Sequence, residues 1–159
     1  MRRIEAMLFA WFLLLFAATG QAQEQPGPQV SDEDLKKYAI TMDSVKSMQE
    51  SLQEIVAETV RSNTVMPVAR YNELIKLQED STKLQAANPT AEELEFMELV
   101  DDLREVNIDR INAVYQELAK NYVGLKTFNQ IRKSLESDQQ LKARYDNLSK
   151  DVESKQKGG

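Results

Sequence analysis

The chain has 159 residues, a formal net charge of −6 at pH 7, and neither histidine nor cysteine. Without histidine it cannot use imidazole catalysis, a serine triad or a histidine metal site, and without cysteine it has no disulfide or thiolate chemistry. Its acidic balance disfavours nucleic-acid binding, because like charges repel. We therefore predict a protein that is not an enzyme, with no catalytic residue, no metal site and no cofactor.

The first residues combine a basic start, an apolar run and small residues. Arg2 and Arg3 precede the apolar residues 8–18, and Gly20-Gln21-Ala22 carries the small side chains that signal peptidase accepts. We expect a signal peptide over residues 1–22 and a periplasmic or secreted protein that is soluble, without membrane insertion, after cleavage. The alternative is a retained anchor, which the run disfavours because a span needs about 20 residues.

Residues 23–29 contain two prolines, a glycine and no apolar anchor, which predicts a flexible tether. Ser31 is then followed by three acids and Leu35. This pattern is typical of a capped helix start, with Val30 and Leu35 as a hydrophobic staple. We expect one helical domain over residues 30–152 and a disordered tail over residues 153–159, which is polar and ends in two glycines.

The remaining pattern predicts four helices. The first ends near Arg61, and the second begins near Pro67 and ends before Asn88-Pro89. The third begins at a capping box, Thr90 with Glu93, and extends to Gly124. The fourth begins near Leu125, and two interpretations of residues 137–140 stay open: a polar spot in one continuous helix, or a break where Asp138 caps a separate final helix.

Apolar residues recur at steps of three and four along each helix. The fold class is therefore all-α, a small antiparallel helical bundle of two helix-turn-helix hairpins, either closed or extended like a coiled coil. The apolar positions of the first helix are Tyr38, Met42, Val45, Met48, Leu52, Val56 and Val60, and those of the third are Met97, Val100, Leu103, Val106, Ile111, Val114, Leu118 and Tyr122. We expect Leu52, Val56, Leu103, Ile111, Leu118, Phe128 and Ile131 to be largely buried.

The second and fourth helices share a short sequence pattern. Tyr71-Asn72 and the four residues after it align with Phe128-Asn129 and the four that follow. Two interpretations stay open: an internal duplication of a helical hairpin, or the similarity that any two amphipathic helices share.

The same C-terminal segment carries a family resemblance. It resembles the C-terminal signature of the family called domain of unknown function 4168 in Gly124-Leu125, Phe128-Asn129-Gln130-Ile131 and Asp138 with Leu141. Residues 30–35 with Tyr38 fit the N-terminal start of the same family. Tyr122, Gly124 and Gln139 depart from its usual residues. Over residues 30–152 the resemblance implies a small secreted helical bacterial protein, and it implies no activity, ligand or catalytic residue.

Three residue sets could form an interaction site. Acidic residues spaced by three and four along the third helix form an acidic stripe, which consists of Glu95, Glu98, Asp102, Glu105 and Asp109. The stripe is either a solvated face or a surface for a cation or a basic partner. Met42, Met48, Met66 and Met97 fill a core or line an adaptable groove. Asn72 and Asn129 bond locally or serve recognition.

These observations favour a non-enzymatic exported protein that acts as a periplasmic protein-interaction or envelope-associated module, with a protein or envelope component as partner. The alternative is a carrier that holds a small apolar ligand in its helical core.

The signal-peptide hypothesis predicts that the mature chain begins at Gln23, because Gly20 and Ala22 lie three residues and one residue before the cut. The intact mass of the exported protein measures this directly. A protein that keeps residues 1–22 and stays in the membrane fraction would contradict the soluble periplasmic location.

Overall fold

The computed structural model describes residues 30–157. The predicted signal peptide and residues 23–29 lie outside this part of the chain. Of the described residues, 88% are helical and none forms a strand, which confirms the all-α fold. The elements are α1 (Asp32–Ser62), α2 (Val68–Leu77), α3 (Ser81–Ala86), α4 (Ala91–Glu117), a π-helical segment (Leu118–Gly124), α5 (Leu125–Ser137) and α6 (Gln139–Lys157).

The described residues fall into two compact units, where the sequence predicted one domain. The smaller unit comprises residues 63–97, and the larger comprises residues 30–62 and 98–157. In the larger unit α1 packs against α6, the π segment and α5, and α5 packs against α6. In the smaller unit α2 packs against α3.

The predicted start of α1 is confirmed. The backbone N–H of Asp34 donates to Ser31 Oγ at 3.1 Å, which satisfies a donor that the first turn would leave free. Leu35 is completely buried, and Val30 packs against the same core. Arg144 of α6 ion-pairs with Asp32 and donates to the Val30 carbonyl at 3.1 Å, so the start of α1 is held against α6.

Four aromatic rings from four helices meet in the larger unit. Tyr38 of α1 lies 4.8 Å from Phe128 of α5 and 5.7 Å from Tyr145 of α6, measured between ring centroids. Tyr115 of α4 lies 5.6 Å from Phe128. Tilted and edge-to-face rings at these separations attract one another in addition to burying apolar area. We call these four residues the aromatic cluster.

The chain reverses between α4 and α5 through the π segment. Gly124 ends that segment with φ +89°, a conformation that strains residues with a Cβ. Tyr115 and Phe128, on either side of the reversal, contact each other. The hairpin predicted around Gly124 is therefore present. Its first arm ends in the π segment, whose hydrogen bonding differs from that of an α-helix.

Asp138 separates α5 from α6, which decides between the two interpretations of residues 137–140. Its Oδ1 accepts the backbone N–H groups of Gln140 and Leu141, both at 2.9 Å. The predicted second helix is also broken. There Asp80 accepts the backbone N–H of Lys83 at 3.1 Å and caps α3, a break that the sequence analysis did not predict.

The two segments of the proposed internal duplication, α2 and α5, begin at equivalent positions of the alignment. The offset that aligns Tyr71 with Phe128 aligns Val68 with Leu125, the first residues of α2 and α5. Tyr71 and Phe128 are both buried, as are the aligned residues Leu74 and Ile131. The duplication hypothesis is thus consistent with the secondary structure of both segments.

Arg70 connects α2 to the start of α4 in the smaller unit. Its Nε and Nη2 donate to the two carboxylate oxygens of Glu93 at 3.0 and 3.3 Å, and Nη2 also donates to the Ala87 carbonyl at 3.0 Å. Glu93 completes the predicted capping box: its Oε2 accepts the Thr90 N–H at 2.9 Å, and Thr90 Oγ1 accepts the Glu93 N–H at 3.2 Å. The pKa of the Glu93 carboxyl is lowered, mainly by the hydrogen bond from Arg70.

The burial predictions are confirmed in part. Ile111, Phe128 and Ile131 are buried, whereas Leu52, Val56, Leu103 and Leu118 are only half-buried. Val106 was predicted to line the apolar face of the third helix, and it is 68% exposed. The physical reason is that each residue of an α-helix turns the chain by about 100°, so three steps of three rotate Val106 about 180° away from Met97.

The C-terminal helix also differs from the prediction. We expected the domain to end at residue 152, but α6 continues to Lys157. Val152 is buried, and Glu153 forms an ion pair with Lys46 of α1 at 2.5 Å. The polar side chains of Ser154 and Lys155 are exposed and therefore lie on the outer side of a helix that packs on α1.

The core of the larger unit predicts a contrast between two residues of α5. Ile131 is completely buried and Leu125 is 57% exposed. Ile131→Ala should lower the free energy of unfolding by about 2–5 kcal/mol, because it leaves a cavity in a packed core. Leu125→Ala should change it by about 0.5 kcal/mol at most. Thermal unfolding followed by circular dichroism measures both, and equal effects would contradict the packing described above.

The Arg70–Glu93 bridge predicts a pH-dependent contribution to stability. The pKa of the Glu93 carboxyl is lower in the folded than in the unfolded protein. The bridge therefore stabilises the fold fully when the pH is above the unfolded-state pKa of about 4.3, and this stabilisation is lost as the pH falls through the folded-state pKa. Glu93→Gln should therefore lower the melting temperature at pH 7, and the difference from wild type should shrink towards pH 3. Glu92→Gln, which removes a neighbouring first-turn acid that Arg70 does not contact, should change little. A pH-independent deficit for Glu93→Gln would be inconsistent with the bridge.

Candidate functional site

Two features of the described surface are candidates for a binding site, one on α4 and one beside the π segment. On α4, residues 99, 103 and 106 share one side of the helix, since steps of four and three return to nearly the same angle. Leu99 is 54% exposed and Val106 is 68% exposed, and Leu103 between them is half-buried. We call these three residues the α4 strip. All three belong to the larger unit.

The acidic stripe runs beside the α4 strip. All five of its carboxylates are exposed, so the structure places them in solvent. Within the larger unit, residues 102 and 109 lie within about 80° of Leu99 around the helix axis. The exposed apolar side chains of α4 therefore have a row of negative charges along one edge.

The opposite side of α4 differs in composition. Ile108 is 48% exposed and lies about 180° from Leu99 around the helix, on the side opposite the α4 strip. An exposed apolar side chain that stands alone is common on protein surfaces, whereas apolar residues in a row beside charges are typical of interaction sites. The α4 strip is therefore the stronger candidate on this helix.

The second feature is a groove of about 320 Å³ between the end of α4, the π segment and α5. Its lining comprises Tyr115, Gln116, Ala119, Lys120, Leu125, Phe128, Asn129 and Arg132. Phe128 and Ala119 are buried, whereas Lys120, Asn129 and Arg132 are exposed. The groove thus has an apolar floor and a polar rim with two cations, and we call it the basic groove.

The basic groove exists because of the local structure around Gly124. The reversal there brings Lys120 of the π segment and Arg132 of α5 to the same groove. The floor is fixed by the contact between Tyr115 and Phe128, which belongs to the aromatic cluster. π-Helical segments are rare and often occur at functional sites, which favours this region as a binding site.

One buried carboxylate lies apart from both features. Asp43 of α1 is 8% exposed, and its Oδ2 has no hydrogen-bond partner within the described residues. Its charge contributes to the raised pKa values of Lys46 and Tyr145. The main cause for Lys46 is the hydrogen bond that its ammonium group donates to Glu153, and the main cause for Tyr145 is burial. Asp43 does not line the basic groove, and it costs stability because a buried acceptor without a partner loses its hydration.

The other residue sets singled out from the sequence are distributed differently. Met66 and Met97 are buried and Met42 and Met48 are half-buried, which agrees with core filling. Of the two interpretations of Asn72 and Asn129, local bonding or recognition, local bonding is not observed: both residues are exposed, and neither side chain has a hydrogen bond within the described residues. Asn129 instead lines the basic groove.

Neither the groove nor its cations were predicted from the sequence. A signal was nevertheless present: residues 118–133 contain Lys120, Lys126, Arg132 and Lys133 and no acidic residue, in a chain whose net charge is −6. Such a local excess of positive charge marks a surface that attracts anions.

Two further properties of the described residues limit the chemistry. No cluster of three or more acidic side chains converges there to hold a metal ion. None of the helices from α1 to α6 combines the length and the apolar character that a membrane span requires.

No family model, curated protein or solved structure matches this chain. The resemblance to domain of unknown function 4168 therefore stays a prediction.

Proposed function

We propose that this protein is an exported, non-enzymatic interaction module whose α4 strip binds a basic amphipathic segment of a partner protein. The observation that carries the proposal is that Val106 is 68% exposed, although Val100 and Ile111 of the same helix are buried. Exposing a large apolar side chain to water costs free energy that a partner could recover by covering it.

The charges beside the α4 strip indicate the chemistry of the partner. The exposed carboxylates of Asp102 and Asp109 attract lysine and arginine, and they repel acidic chains and anionic surfaces. A helix with leucines on one side and lysines at its edge matches both the strip and the stripe. Amphipathic helices commonly bind apolar surfaces in this way, through side chains spaced by three and four residues.

The absence of histidine and cysteine from the chain supports a non-enzymatic role, because the most common general bases and nucleophiles are missing. The N-terminal residues 1–22 support export. An exported helical protein without catalytic residues would act through its surface.

A labelled model peptide with leucine and lysine at helical spacing tests the proposal. It should bind the full mature chain saturably, and binding should weaken between 50 and 500 mM NaCl because the charges are exposed. Val106→Ser should weaken binding by about fivefold or more, since it removes an apolar contact from the surface. Fluorescence anisotropy measures the dissociation constants.

Ile108→Ser is the matched control, because Ile108 is also exposed on α4 but lies on the other side of the helix. It should leave peptide binding unchanged, and neither variant should shift the melting temperature as much as Ile131→Ala. Equal losses for Ile108→Ser and Val106→Ser, or equal binding of a peptide with glutamate in place of lysine, would refute the assignment of the α4 strip.

A further inference from the structure

We propose that the basic groove is a second binding site, which takes a medium-chain alkyl carboxylate with its chain on the apolar floor and its carboxylate at the cationic rim. This site is separate from the α4 strip, and the proposal does not depend on that surface. It is supported by three properties of the groove: its floor, its charge and its size.

The floor of the groove is apolar and held in place. Phe128 is 2% exposed and Ala119 is 4% exposed, and the ring of Tyr115 contacts that of Phe128 edge to face at 81°. Because Phe128 also contacts Tyr38 in the aromatic cluster, the floor is part of the core and is formed before a ligand binds. Preformed apolar sites bind with less loss of conformational freedom than sites that a ligand must order.

The rim of the groove selects an anion. Lys120 and Arg132 both line it, and neither pairs with a carboxylate among residues 30–155. A guanidinium can hold a carboxylate through two parallel hydrogen bonds, and the side-chain amides of Gln116 and Asn129 can donate further ones. An apolar ligand without charge would leave these donors unused, so the groove fits an amphiphile with a negative end.

The size of the groove selects a small ligand. A volume of about 320 Å³ is close to the lower limit of about 300 Å³ for ligand sites, which fits one short alkyl chain better than a two-chain lipid. Leu125 at the edge is 57% exposed and can cover part of the chain. The open rim leaves the cations in contact with water, so we expect modest, salt-sensitive affinity.

Titration of the full mature chain with sodium octanoate, below its micelle concentration, tests this inference by two-dimensional amide NMR. Octanoate should bind saturably and shift the resonances of residues 115–132, whereas 1-octanol and octylammonium should bind at least fivefold more weakly because they lack the carboxylate. Absence of saturable octanoate binding would overturn the proposal. Equal affinity for octanol and octanoate would overturn the role of the two cations.

Substitutions on α5 and the π segment separate the groove from the general charge of the region. Arg132→Gln and Lys120→Gln should each weaken octanoate binding by about five- to tenfold, since each removes a charged donor. Lys133→Gln removes the same charge from the same helix but does not line the groove, and it should have little effect. Equal losses of octanoate affinity in all three variants, or amide resonance shifts centred on α4 near Leu99, would overturn the assignment of the site.

Val106→Ser should not affect octanoate binding, which distinguishes this proposal from that for the α4 strip.

Discussion

The larger unit depends on the contact between Tyr38 and Phe128. The ring centroids of these two residues are 4.8 Å apart, so α1 and α5 contact each other there. Tyr115 of α4 and Tyr145 of α6 pack against the same pair of rings. Burial of the Tyr38 ring in this cluster raises the pKa of its hydroxyl to about 12. Since α1 and α6 are far apart in the chain, this packing also makes the unit a product of long-range contacts.

The surfaces that remain exposed follow from this arrangement. Tyr115 and Phe128 close the aromatic cluster on one side and form the floor of the basic groove on the other, so the same contact that stabilises the fold shapes a possible ligand site. Farther along α4, Leu99 and Val106 face away from the buried residues. One unit thus presents two surfaces of opposite charge, and each would attract a different class of molecule.

Local signals in the sequence predicted several helix starts well, although they missed the break at Asp80. Ser31, Thr90 with Glu93, and Asp138 cap helices as their residue types indicate, because a cap needs only backbone groups two or three residues away. Prediction was poorer wherever the outcome depended on distant residues. Spacing by threes did not reveal that Val106 rotates away from the core, and the groove required Lys120 and Arg132 to be brought together by the reversal at Gly124.

Native-state hydrogen exchange of residues 23–159 tests most directly whether the aromatic cluster is the centre of the larger unit. The slowest-exchanging amides should lie around Tyr38 in α1, around Phe128 and Ile131 in α5, and near Leu141 and Tyr145 in α6, since these open only when the packed core unfolds. Amides around Leu99 and Val106 should exchange sooner. If the slowest amides were instead in the middle of α4, with those around Tyr38 and Phe128 exchanging early, the aromatic cluster would not be what holds the unit together.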